Sequence, residues 1–237
     1  MKCLVCNFKN KLNKEDIIAY NRSLGTVAMK NVRLVLVPSI PFLAYFDKLG
    51  YQIGAQDISS FMDKTLTGEV TGEQLKSMGV EYVIVGHSER RSYKHEINID
   101  FINKINNALE NDLQVIYCVG ETLQEKESGD TFVVLEKQIS EVLNNVCLKN
   151  ITIAYEPVWA IGTGVTSKAE DVKEVVDFLN DLIYEKYDTN INILYGGSIS
   201  PDNIKEYNNI KRLSGFLVGG ASLDVNNVKY MMLEMEV

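Results

Sequence analysis

The chain has 237 residues, 46% of them hydrophobic and 24% charged, the composition of an ordinary globular protein rather than a disordered or fibrous one. Its 24 Lys and Arg against 32 Asp and Glu give a net charge of −8, which argues against nucleic acid as a partner. A small anionic ligand stays admissible, because one Lys and a few backbone dipoles can dominate a pocket.

No apolar run approaches the ~20 residues of a membrane span, so no membrane partner is expected. The first residues reach Asn7 and Lys9 too soon for a secretory leader, and the expected location is the cytoplasm. Short apolar runs read as strands at 2–7, 34–38, 52–55, 82–86, 114–119, 151–155, 192–195 and 215–218. Amphipathic stretches read as helices near 14–24, 41–48, 71–78, 96–110, 131–146, 167–186, 201–208 and 223–235, with Asn13, Thr71 and Ser200-Pro201 as starts. Eight strand–helix units of roughly 30 residues fit repeated βαβ folding. No low-complexity linker divides them, so residues 1–237 are expected to form a single domain. The fold class is α/β, and eight units in ~250 residues favour a closed (β/α)8 TIM barrel over an open sheet. No G-x-G-x-x-G follows the first strand, so no dinucleotide cofactor is expected. Cys3 and Cys6 form a C-x-x-C pair, but strand periodicity puts them on opposite faces. With Cys118 and Cys147 they read as core thiols of a reducing compartment, a redox pair being the second choice. Two His in all and no acidic cluster make a His-based metal centre improbable.

In such a barrel chemistry gathers at the C-terminal strand ends. Those ends carry Asn7-Phe8-Lys9, His87-Ser88-Glu89-Arg90-Arg91, Cys118-Val119-Gly120-Glu121, Glu156, Tyr195-Gly196-Gly197-Ser198 and Gly219-Gly220-Ala221-Ser222. Taken singly, each has a bland reading: Lys9 sits among surface lysines, a lone His is more often structural, and Gly-Gly-Ser is about evenly a turn. His87 opens a polar run that could start a short helix, whose amides would disfavour protonation of the ring. The two Gly-rich ends together match the phosphate site of strands seven and eight. Glu156 ends strand six, Pro157 stops further pairing, and Trp159-Ala160-Ile161-Gly162-Thr163-Gly164 reads as a flap with an apolar tip.

These motifs, collinear from the first strand to the last, resemble triosephosphate isomerase. The resemblance implies interconversion of dihydroxyacetone phosphate and glyceraldehyde 3-phosphate without a cofactor. It implies Glu156 as the base, neutral His87 as the electrophile and proton carrier, Lys9 on the enediolate charge, Asn7 as a polar contact, and Glu89 holding Lys9 and His87. It further implies that the 157–167 loop closes. Backbone N–H groups of Gly162, Ser198, Gly219 and Gly220 would grip the phosphate, and Ile161 and Leu217 would press on Glu156. Tyr195 would latch the closed loop near Ser167. A homodimer through the 57–69 loop is also implied, and that loop exceeds the 2–6 residues usual between a strand and its helix. The sequence departs from the family pattern at Phe8, Asn10, the Val165-Thr166-Ser167 hinge and Lys64-Thr65-Leu66, none of them a chemical group. A Schiff-base aldolase is disfavoured because strand six offers Glu156 rather than Lys, and a metal-dependent epimerase because His is scarce.

Overall fold

Eight strands pair in parallel and in sequence order, and the eighth returns to the first to close the ring. The computed structural model describes residues 1–46, 49–62, 65–162 and 166–236. The strands are β1 (Lys2–Asn7), β2 (Val32–Val37), β3 (Gln52–Ala55), β4 (Tyr82–Val85), β5 (Gln114–Val119), β6 (Ile151–Tyr155), β7 (Asn192–Tyr195) and β8 (Gly215–Val218).

Side chains alternate across the barrel wall. Val5, Val35, Ile84, Ile116, Ala154, Leu194 and Leu217 pack together inside it, and register places Val5 beside both Val35 and Leu217. Leu4, Cys6, Leu34, Leu36, Tyr117, Ile153 and Phe216 point outward into a second core under the helices. Cys3 packs on the inner cluster and Cys6 on the outer one, so the C-x-x-C pair lies on opposite faces as expected, whereas Cys147, expected in the core, is exposed. Burial pushes the Cys3 thiol up to about 12, with Arg33 opposing the shift. Closure of the ring is tight at Gly215 (φ +145), where a Cβ would lie 1.9 Å from the Cys3 carbonyl oxygen.

The helices are α1 (Lys14–Leu24), α2 (Gly72–Ser77), α3 (Ser88–Lys94), α4 (Asn98–Glu110), α5 (Leu123–Glu127), α6 (Thr131–Leu143), α7 (Ala169–Tyr187), α8 (Ile204–Asn208) and α9 (Val225–Glu236). Their buried stripes follow helical spacing, as Leu135, Ile139 and Val142 do on α6. Asn13 and Thr71 form capping boxes with Asp16 and Gln74. Three expectations shift. Strand two begins at Val32 rather than 34. The 41–48 stretch is a 3-10 segment, Ile40–Tyr45, with residues 47 and 48 outside the described residues. Asn203, not Ser200, precedes α8, and its side chain makes no cap bond there but accepts from the Ser200 amide at 2.9 Å. Helix α5 went unforeseen, since its five residues are too few to show a period.

Candidate active site

Alternation carries Asn7 inward at the end of β1 and Glu156 inward past β6. Glu156 is 3% exposed, and its amide donates to the Val119 carbonyl at 2.8 Å, which extends the β5–β6 pairing to the base of the side chain. Two glycines make room for it. A Cβ on Gly196 would meet Glu156 Cγ at 2.6 Å, and a Cβ on Gly120 would meet the Glu156 carbonyl oxygen at 1.8 Å. Gln138 in turn brackets Gly120, accepting from its N–H at 2.9 Å and donating to its carbonyl at 3.0 Å. The Cys118 thiol lies against the Glu156 carboxylate; burial first, and that carboxylate second, hold the thiol well above its usual range. Apart from this thiol, Glu156 Oε2 has no hydrogen-bond partner among the described residues. A buried carboxylate oxygen with no stronger donor than a thiol costs stability, which marks a group kept ready for something absent from the folded chain.

His87 reaches the same cavity by a different route. Gly86, at φ +73, breaks the alternation that would send the next side chain outward. His87 then caps α3: its Nδ1 accepts the Glu89 amide at 3.2 Å. A nitrogen that accepts an N–H carries no proton, so the ring is neutral with its hydrogen on Nε2. That Nε2 lies 3.5 Å from Glu156 Oε1.

Lys9 Nζ pairs with Glu89 Oε1 at 2.6 Å, and Glu89 Oε2 lies 3.7 Å from His87 Nδ1. Glu89 thus joins the cation to the histidine. Asn7 Oδ1 accepts the Lys9 amide at 3.0 Å.

These groups open onto a cavity of about 350 Å³ lined by Asn7, Lys9, His87, Glu156, Ile161, Gly162, Ser198, Leu217, Gly219 and Gly220, among others. Of the residues to which the resemblance gives a chemical or phosphate-binding role, Glu89 alone does not line it and lines the adjoining cavity instead. Across from Glu156, a Cβ on Gly220 would meet nothing within 4 Å, and one on Gly219 only Lys9 Cε at 3.6 Å. Open backbone facing a lysine suits an anionic group. That loop is braced from outside the cavity: Tyr20 donates to the Ser222 carbonyl at 3.0 Å, and the Ser222 hydroxyl to the Gly219 carbonyl at 2.6 Å.

The flap is anchored at both ends. Glu121 Oε1 accepts from Trp159 Nε1 at 2.8 Å and from the Tyr155 hydroxyl at 3.3 Å. Its carboxyl is held above the usual range by burial, which the Trp159 hydrogen bond opposes. Lys126 Nζ sits 3.8 Å over the Trp159 ring. At the flap tip Ser198 donates to the Ala160 carbonyl at 2.5 Å. At the far end Tyr207 donates to the Ser167 carbonyl at 2.5 Å, while the Tyr195 hydroxyl, buried beside Ser167, has no hydrogen bond to it of standard geometry. Residues 163–165, including the Val165 hinge position, lie outside the described residues. Gln138 and Tyr207 carried no signal in the sequence: each acts through a neighbour distant along the chain.

A second cavity of about 580 Å³ adjoins the first, sharing Asn7, Lys9 and His87 and reaching Gln56, Gly68, Glu69, Arg90 and Lys94. In the loop that leads to Gly68 and Glu69, Phe61 and Met62 are each 55% exposed and Leu66 39%. Lys64 is not among the described residues.

Comparison with known proteins agrees with this geometry. The family model described as triosephosphate isomerase matches residues 2–235. The chain is 46% identical to the triosephosphate isomerase of Alkaliphilus metalliredigens (strain QYMF) over 179 residues, 73% of this chain and 72% of that one. It is 39% identical to that of Vesicomyosocius okutanii subsp. Calyptogena okutanii (strain HA), over 92% of both chains. It is 39% identical to that of Saccharomyces cerevisiae (strain ATCC 204508 / S288c), again over 92% of both.

Proposed function

The chain belongs to the triosephosphate isomerase family, and from that premise we propose how its own residues perform the reaction. The activity is the interconversion of dihydroxyacetone phosphate and D-glyceraldehyde 3-phosphate. Glu156 removes the proton next to the carbonyl and returns it to the neighbouring carbon. His87, with its hydrogen on Nε2, donates to the carbonyl oxygen and carries protons between the two oxygens. Lys9 stabilises the enediolate charge, and Asn7 supplies a polar contact. Glu89 holds Lys9 and His87 in place. Ser198, Gly162, Gly219 and Gly220 bind the phosphate through backbone N–H groups. Ile161 and Leu217 close over Glu156 when the flap shuts, excluding water and suppressing loss of phosphate from the intermediate.

One observation carries this reading: the buried Glu156 carboxylate places Oε1 3.5 Å from His87 Nε2, and the other ring nitrogen of His87 accepts the Glu89 amide. A base and an acid are thereby poised on one small cavity. Glu156→Asp tests it in a coupled isomerase assay. Retreat of the carboxylate by about 1 Å lowers kcat by ~100-fold, with KM changed far less. Unchanged turnover would remove Glu156 from the role.

The working form is a homodimer in which the 57–69 loop of each protomer enters the cavity beside Lys9 on the other. Exposed Phe61, Met62 and Leu66, on the loop that reaches the cavity of about 580 Å³ at Gly68 and Glu69, support this assembly. The compartment is the cytoplasm, a reading supported by four unpaired cysteines. Among the described residues no helix is long and apolar enough to cross a membrane.

A further inference from the structure

Five described residues other than glycine have positive φ. Four are His, Asp or Asn. His95 and Asp188 end helices α3 and α7, where left-handed backbone is common and these residue types tolerate it. The fifth is Lys9, at φ +50. It ends a strand, and its side chain has no local hydrogen bond to offer its own backbone. Something else must hold it there.

Three side chains do. The Lys9 amide donates to Asn7 Oδ1 at 3.0 Å. The Lys9 carbonyl accepts twice, from the Ser39 hydroxyl at 2.7 Å and from Gln56 Nε2 at 2.7 Å. A carbonyl has two lone pairs, so its capacity is filled. The donors come from two different loops: Ser39 follows β2 and Gln56 follows β3. Gln56 also donates to the Val37 carbonyl at 3.1 Å, which ties its amide to the end of β2. With Glu89 fixing Nζ at 2.6 Å, both ends of the residue are tethered by groups distant along the chain.

We infer that Ser39 and Gln56 are positioning residues for the isomerase reaction: they clamp the Lys9 carbonyl, hold its left-handed backbone and so aim Nζ at the substrate oxygens. Without them the backbone relaxes toward negative φ, and the direction of the Cα–Cβ bond rotates. The ammonium group then leaves its place beside Glu89 and Gly219. The inference rests on the role given to Lys9 above.

The test uses Gln56→Met, Ser39→Ala, Lys9→Met and the double variant of Lys9→Met with Gln56→Met, in the full chain. Competitive inhibition is measured with inorganic phosphate, which needs only the anion site, and with 2-phosphoglycolate, whose carboxylate stands for the enediolate. Each clamp variant is expected to lower kcat by ~10- to 100-fold, the scale of a displacement near 1 Å, with KM changed less than about 3-fold. Each should weaken 2-phosphoglycolate and leave phosphate within about 2-fold. Ser39→Thr, which keeps the hydroxyl, should restore the wild-type ratio. Because Gln56 acts through Lys9, the double variant should be no slower than Lys9→Met alone. If Gln56→Met slows Lys9→Met by its full factor, or lowers Tm while both inhibitors keep their ratio, the clamp is refuted. Should Gln56→Met fail to fold, Ser39→Ala carries the same test from the other loop. A Lys9→Met variant with an unchanged inhibitor ratio would instead overturn the role of Lys9 itself, and the purpose of the clamp with it.

Discussion

Gly196 offers a way to move the proposed base without touching it. A Cβ there would lie 2.6 Å from Glu156 Cγ, 3.1 Å from Oε1 and 3.3 Å from Cδ. Carbon–carbon contacts settle near 3.5–4.0 Å, so Gly196→Ala requires a relative displacement of about 1 Å. The residue at 196 is held by its amide donating to the Tyr155 carbonyl at 2.8 Å, and its φ is not in the left-handed region. Alanine is therefore compatible with the backbone, and Glu156 is what must give. Overpacking of this kind costs about 1–3 kcal/mol, which a folded barrel survives. Displacing the carboxylate from its place 3.5 Å from His87 Nε2 should cost ~100-fold in kcat. Inorganic phosphate, which does not need the carboxylate, should inhibit within about 3-fold of wild type. The coupled assay, the phosphate inhibition constant and a thermal melt would be taken on one preparation. A folded Gly196→Ala enzyme within about 3-fold of wild-type kcat would refute the argument, because Glu156 would then tolerate a displacement that proton abstraction cannot.

Three further outcomes are expected. Thr67→Arg, which adds a charge at an exposed position of the 57–69 loop, should give a folded monomer with most activity lost; a fully active wild-type monomer at low concentration would sink the dimer proposal. Burial raises the Glu121 carboxyl above its ordinary 4.5, so the folded chain binds that proton more tightly than the unfolded chain. Its contribution to stability is complete below 4.5 and is lost as pH rises through the raised value. Glu121→Gln keeps an acceptor for Trp159 Nε1 and should flatten this slope, along with any matching titration of fluorescence from Trp159, the only tryptophan; an unchanged pH profile would discount Glu121. Tyr207→Phe orphans the Ser167 carbonyl and should cost about 1–3 kcal/mol, read as a lower midpoint in denaturant; a midpoint equal to wild type would show that water replaces the hydroxyl.

The architecture was legible in the chain because it repeats. Eight apolar runs at regular spacing state a parallel barrel, but strands buried on both faces do not say which set of alternate side chains points inward; the structure puts Asn7 and Glu156 on the inner set. The residues proposed for the chemistry stood out because they sit in short motifs at strand ends, and their collinear resemblance to one family raised them above the bland reading each has singly. A motif cannot state a contact between residues far apart along the chain. Period two alone would have sent His87 outward; the left-handed turn at Gly86 brings it in. Nothing near Lys9 in sequence signals that its backbone is left-handed, since the donors that hold it lie 30 and 47 positions away. Gly196 reads as part of a turn, and only packing reveals that its missing side chain is the space Glu156 occupies. The reason is one of range. Hydrophobic periodicity and turn chemistry act over a few residues and are written locally. The aim of a side chain to within 1 Å depends on hydrogen bonds and close packing, and only barrel closure brings those partners together.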